Sequence, residues 1–258
     1  MKINSVQQFN IGCNSQCKTA DNHNLVEKKQ LKRRILVTSA LGTTAALSII
    51  CHKQGFKLKN LPKTKIKDWA LLKIKGTKTL QFEEKESIGL AGGSVIGGLA
   101  GGAIFDKKEN FKAKLHESLS QMLGNVCVPI ACVGSATRFY KKHEDEMLSK
   151  MPQFKQNTGI KKIANPAMKA IPPVGITICA LAAGIMLGNK VSNFINGILS
   201  GEKQDRRIKG TDFAPHVDDL CLAITLMAPN TPVGGVIART IPFFLTVPGY
   251  QTGIAQKK

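Results

Sequence analysis

Charge in this chain is confined to particular stretches. Six windows carry none at all, 35–51, 87–105, 118–137, 170–189, 220–238 and 240–256, and all 37 basic and 17 acidic residues lie outside them. An amphipathic helix of a water-soluble domain places a charged residue every few positions on its outer face. Runs of 17 to 20 uncharged residues, set apart by stretches rich in lysine and arginine, instead divide a chain between hydrocarbon and water. The expected fold is therefore all-α: a multi-pass helical membrane protein with about three to five membrane-embedded helices. Polar, hydrophobe-poor residues 1–34 are expected to form a disordered tail. Residues 35–86 form a short apolar segment plus a basic interfacial loop. Residues 87–258 form the helical membrane domain, with helices near 87–105, 118–138, 170–199, 216–228 and 233–248.

The net charge of +20 attracts polyanions, either nucleic acid or anionic lipid. Few aromatic residues are available for base stacking, and no RNA-binding or zinc-finger pattern is present, so nucleic acid is the weaker partner. The expected partner is a lipid bilayer with anionic headgroups at the basic loops. Lysines crowd 52–86, around Trp69. A short helix through Lys65–Lys75, ended by Gly76, would bury Trp69 and let lysine stems reach headgroups; a solvated loop is the other reading. The expected location is integral to a membrane, taken as a bacterial cytoplasmic one.

Window 35–51 is only 17 residues and holds five Ser/Thr, so it could cross, dip in or pack as a buried helix. Lysine and arginine counted region by region favour three crossings, at 87–105, 118–137 and 170–189. Segments 35–51 and 216–248 would then be embedded without spanning. Pro229-Asn230-Thr231-Pro232 breaks the last apolar stretch, which reads as a helical hairpin. Pro172 and Pro173 fit the first turn of the 170–199 helix.

Window 87–105 holds seven glycines within residues 89–102. In water each would cost a helix roughly 1 kcal/mol relative to alanine; in hydrocarbon, helix remains the way to satisfy the backbone. Gly89, Gly93, Gly97 and Gly101 recur at spacing four and fall on one helical face. This series resembles a glycine zipper, a membrane packing motif, over 13 of the 258 residues. The resemblance implies close helix approach. The approach can be homo-oligomeric, around a pore, or within the chain, with 118–137 as the partner.

Asp212, His216 and Asp219 fall on one face of a helix and could hold a divalent metal. An N-cap at Asp212 and dipole-compensating Asp218 and Asp219 explain the same residues without one. Neither a metal nor another cofactor is expected. Arg239 interrupts an apolar run; in the hairpin its depth matches Asp219 closely enough for an intramembrane ion pair. Cys13 and Cys17 lack a second ligand pair, and the other cysteines lie in apolar windows, so no disulfide framework is implied.

No phosphate-binding loop, nucleophile elbow, zinc-protease or dinucleotide signature is present. No enzyme is expected. The favoured function is a structural or interaction role through glycine-rich helix packing. The alternative is a channel, permeabilising protein or small-solute transporter built from oligomerised glycine helices.

Overall fold

A computed structural model describes residues 7–63, 69–70, 80–152, 161–201, 205–217 and 233–257, with side chains on the first helix from Leu25 onward. Helix α1 runs Gln7–Lys53. Three of its hydroxyls are satisfied within the helix: Thr38, Thr43 and Thr44 donate to the carbonyls of Ile35, Ser39 and Ala40 at 2.8–3.0 Å. A hydroxyl that bonds its own preceding turn is already satisfied. This corrects the boundary drawn at residue 34: Lys28 to Arg34 are helical, and 35–51 continues the same helix. Leu25–Lys53 is long and apolar enough to cross a membrane, whereas the charge count favours three crossings with 35–51 embedded.

After a 3-10 turn at Leu58–Lys63, Trp69–Ala70 (β1) pairs in parallel with Leu80–Gln81 (β2). Trp69 is buried, but in extended backbone and not on the expected helix, because its ring stacks on Phe82 at 5.8 Å beside the pairing. Helix α2, Glu84–Phe105, opens with Glu84 and Glu86 at its positive end and stops at Asp106.

The next helix is continuous from 111 to 149 but changes its winding. α3 (Phe111–Leu119) passes into a π-helical segment (Ser120–Cys127) and then α4 (Val128–Ser149). The change has a local cause. Pro129 lacks the amide that would serve the Asn125 carbonyl in an α-turn, and its ring crowds that carbonyl, so the preceding turn widens. The expected 118–138 helix is thus longer at both ends.

α5, Lys161–Ser200, starts nine residues before the expected 170, so Pro172 and Pro173 lie inside it and not in its first turn. A 3-10 turn, Gly210–His216, follows. The expected helix start at 216 falls at the end of that 3-10 turn, and 218–228, with the hairpin turn, lies outside the described residues. The final 233–248 helix is two: α6 (Val233–Phe244) and α7 (Val247–Ile254), parted at Leu245–Thr246 just ahead of Pro248, which sits in the first turn of α7.

α1 and α2 pack antiparallel, with Thr38 against Gly97 and Gly101, Gly42 against Gly93 and Gly97, and Ile50 against Gly89. α7 lies on another face of α2, where Gly249 meets Ser94 and Gly98. α5 runs antiparallel to the π segment and α4, with Gly188 on Gly124 and Gly184 on Pro129. Cys51, Trp69, Leu80, Phe82, Leu90 and Ile241 belong to an apolar cluster at the end of the bundle where α1 finishes and α2 begins. Large apolar side chains also point outward: Ile96 and Phe194 are each 70% exposed, and Leu41, Ile104, Ile198 and Phe243 are exposed as well. Apolar outer faces on this scale belong in lipid. Among the described residues, four helices, Leu25–Lys53, Glu84–Phe105, Lys108–Ser149 and Ala167–Ser200, are long and apolar enough to cross a membrane. The chain is all-α in class and fits a multi-pass membrane protein.

Candidate functional site

The most concentrated chemistry among the described residues is a buried ionic centre where the π segment, the end of α5 and residues 205–216 converge. Winding at 120–127 brings Gln121 and Asn125 inward, one turn apart, and both are buried. Glu117, one turn earlier, accepts a hydrogen bond from the Gln121 amide at 2.8 Å. Arg206 then reaches in after α5 has ended. Its guanidinium lies 2.9 Å from Glu117 and 2.7 Å from Asp212, with all three side chains no more than 12% exposed. Asn193 and Asn189 on α5 hold the Arg206 backbone: Asn193 Oδ1 accepts from its amide, and both Asn side chains donate to its carbonyl.

Asp212 is fully buried, and its oxygens accept from Arg206, from the Asn125 amide at 2.8 Å and from the Lys209 backbone N–H at 2.8 Å. Burial alone would raise its pKa. The Arg206 hydrogen bonds, the Lys209 N–H, the Arg206 charge and Asn125 together hold the carboxyl below the usual range. The same balance runs in reverse at Arg206. Burial disfavours its charge, but bonds to Asp212 and Glu117 hold the proton more firmly than in a free arginine. Asn196 extends the network, donating to the His116 carbonyl and Ser120 Oγ at 3.0 Å and bonding His116 Nδ1 at 2.9 Å.

A second buried charge stands nearby. Lys114 has no exposed side-chain surface, pairs with Asp106 at 2.7 Å and donates to the carbonyls of Gly253 and Ala255. It fastens the end of α7 to the turn between α2 and α3. Burial pushes the Asp106 carboxyl up, but bonds from Lys114, the Lys107 amide and Asn110, with the Lys114 charge, bring it below its ordinary value.

The residues singled out from sequence divide. Gly93, Gly97 and Gly101 meet α1: a Cβ added to them would strike the Gly42 carbonyl, the Thr38 carbonyl and the Thr38 side chain. Gly89 is looser, with only Ile50 nearby at 3.9 Å. The in-chain partner of this series is therefore α1, not 118–137. Asp212 and His216 are both buried but do not share a ligand: Asp212 serves Arg206, and His216 Nε2 donates to the Asn125 carbonyl at 2.7 Å. Asp219 lies outside the described residues. Arg239 has its guanidinium carbon 5.5 Å from the centre of the Trp69 ring, a cation–π contact. Among the described residues, no group of three or more His, Cys, Asp or Glu side chains is arranged to hold a metal ion.

Sequence reasoning missed Glu117, Lys114 and Arg206. Lys114 and Glu117 stand in a charged lead that looks like any solvated loop, and Arg206 in a stretch of six charges between 202 and 209. Pro129, four residues after Asn125, marks a carbonyl in need of a donor, which points to the His216 contact and not to these three residues. No family model, curated protein or solved structure matches this chain.

Proposed function

We propose that this is a non-enzymatic integral membrane protein with a structural or interaction role, in which glycine-rich helices pack within one chain. In this reading the bilayer is a bacterial cytoplasmic membrane, and the basic segments meet its anionic headgroups. The observation that carries the reading is the occupancy of α2 on two faces. Gly93 and Gly97 lie against α1, and Gly98 lies against Gly249 of α7. Close backbone approach is how helices associate in lipid, where no hydrophobic force drives them together. Here that approach is used internally. The buried centre also speaks for structure over chemistry, since Glu117, Arg206, Asp212 and Asn125 are engaged with one another.

An oligomeric pore of glycine-zipper helices, the alternative, would need the same glycine face that α1 covers. Two measurements separate the readings. After carbonate washing the protein should stay with the membrane, and liposomes carrying it should retain a trapped dye. Dye release that Gly93→Leu and Gly97→Leu abolish would overturn the structural reading in favour of the pore.

A further inference from the structure

This inference rests on the membrane reading and locates one partner for it. Arg34 is the last charged residue before the apolar run of α1, and Phe105 is the last residue of the apolar run of α2. Because the helices are antiparallel, these two ends come level: the Arg34 guanidinium carbon lies 5.3 Å from the centre of the Phe105 ring. The hydrocarbon boundary therefore passes between Arg34 and Ile35 on one helix and between Phe105 and Asp106 on the other. Headgroup phosphates lie at this depth.

At that level a cleft of about 750 Å³ opens between α1, the 106–110 turn and residues 256–257. Lys28, Arg34, Lys107 and Lys257 line it. Of the acids that line it, Asp106 is already bound to Lys114, which leaves Glu27 and Glu109 against the four cations. Lys32, Arg33, Lys108 and Lys112 flank it in sequence and strengthen the positive excess. On the apolar side of the boundary, Leu36, Val37 and Ile104 are exposed, Ile104 at 71%. The cleft wall is thus cationic, with Leu31 and Phe105 as its apolar members, and the exposed Leu36, Val37 and Ile104 lie outside it, on the apolar side of the boundary.

We propose that this cleft binds the phosphate of an anionic membrane lipid, with Arg34, Lys28 and Lys107 as its cations and the acyl chains against the apolar flank of α1 and α2. The apolar flank is what favours a lipid over a free anion. A basic residue at a membrane surface strengthens attraction to anionic lipid about five-fold, so removing three should weaken binding roughly 100-fold.

The test uses the full chain in detergent and native mass spectrometry, counting retained phosphatidylglycerol or phosphatidylcholine. Wild type should hold phosphatidylglycerol at least ~10-fold more strongly, and Lys28→Gln/Arg34→Gln/Lys107→Gln should lose that preference. Lys53→Gln/Lys141→Gln/Lys142→Gln, at the other end of the bundle, should keep it. Should the triple variant fail to fold, the single Lys107→Gln variant and the wild-type preference in rising salt carry the test. Equal retention of the two lipids, equal loss in the opposite-end variant, or full displacement by inorganic phosphate would each overturn the proposal. Carbonate extraction of the same wild-type membranes is read separately, since release there would defeat the membrane reading itself.

Discussion

His216 completes the backbone bonding of Asn125. Its Nε2 donates to the Asn125 carbonyl at 2.7 Å, at the position where Pro129 removes an amide. Because a carbonyl can only accept, Nε2 carries the hydrogen. A buried carbonyl left without such a donor costs roughly 1–3 kcal/mol. His216→Ala should therefore lower stability by about that much, measured by thermal unfolding in detergent. Restoring the amide with Pro129→Ala should shrink the loss. Equal losses in both backgrounds would mean that His216 acts by packing alone.

Arg206 ties a loop to a helix that precedes it by 89 residues, through Glu117 on one side and Asp212 on the other. Removing one member of a buried pair leaves a charge uncompensated, at a cost of roughly 3–5 kcal/mol. Arg206→Met strands two carboxylates, whereas Glu117→Gln strands none and leaves Arg206 its bond to Asp212. Arg206→Met should therefore be the more damaging, and adding Glu117→Gln to it should recover part of the loss. If the two single variants unfold at the same temperature, the centre is not the shared clamp described above.

The same centre sets a pH dependence. Asp212 and Asp106 ionise at lower pH in the folded chain than in the unfolded one. Each contributes stability that is complete above the ordinary carboxylate range and is lost as pH falls through the lowered folded value. The Arg206 shift is upward, so its contribution stands at every pH below the ordinary arginine value and adds no alkaline limb within experimental reach. Unfolding temperature in detergent should fall between neutral pH and about pH 3, and Asp212→Asn should flatten that fall. An unchanged acid limb in Asp212→Asn would remove the carboxylate from the account.

What could be read from the residues follows from the length scale of each signal. The helices around 87–105 and 170–189 were legible because uncharged runs of that length have one economical backbone in lipid. The reach of α1 was not, because Lys28 to Arg34 break the apolar run without breaking the helix, and charge segregation marks membrane depth and not helix ends. The break at Leu245–Thr246 was obscured by a hairpin reading that treated 233–248 as one arm, although Pro248 marks it. The buried centre was the least legible part. Its ionic partners are far apart in sequence, and a lysine such as Lys114 looks solvent-bound until the carbonyls of Gly253 and Ala255 are known to lie over it.

Glycine provides the sharpest contrast between sites. A Cβ on Gly98 would collide with the backbone of Gly249, and one on Gly249 with the Ser94 carbonyl, so both substitutions push two backbones apart. Overpacking of this kind costs typically 1–3 kcal/mol, and flexible side chains cannot relieve it here. Gly175, inside α5, has nothing within 4 Å of such a Cβ. There, alanine removes only glycine's conformational penalty and should stabilise by up to about 1 kcal/mol. Gly98→Ala and Gly249→Ala should therefore lower the unfolding temperature, and Gly175→Ala should leave it equal or higher. Ser94 also donates to Thr246 at 2.9 Å and accepts from the Gly249 amide at 3.0 Å, so Ser94→Val should resemble the two damaging variants. If Gly98→Ala unfolds no earlier than Gly175→Ala, α7 does not rest on α2 by backbone contact, and the self-contained bundle loses one of its two covered faces.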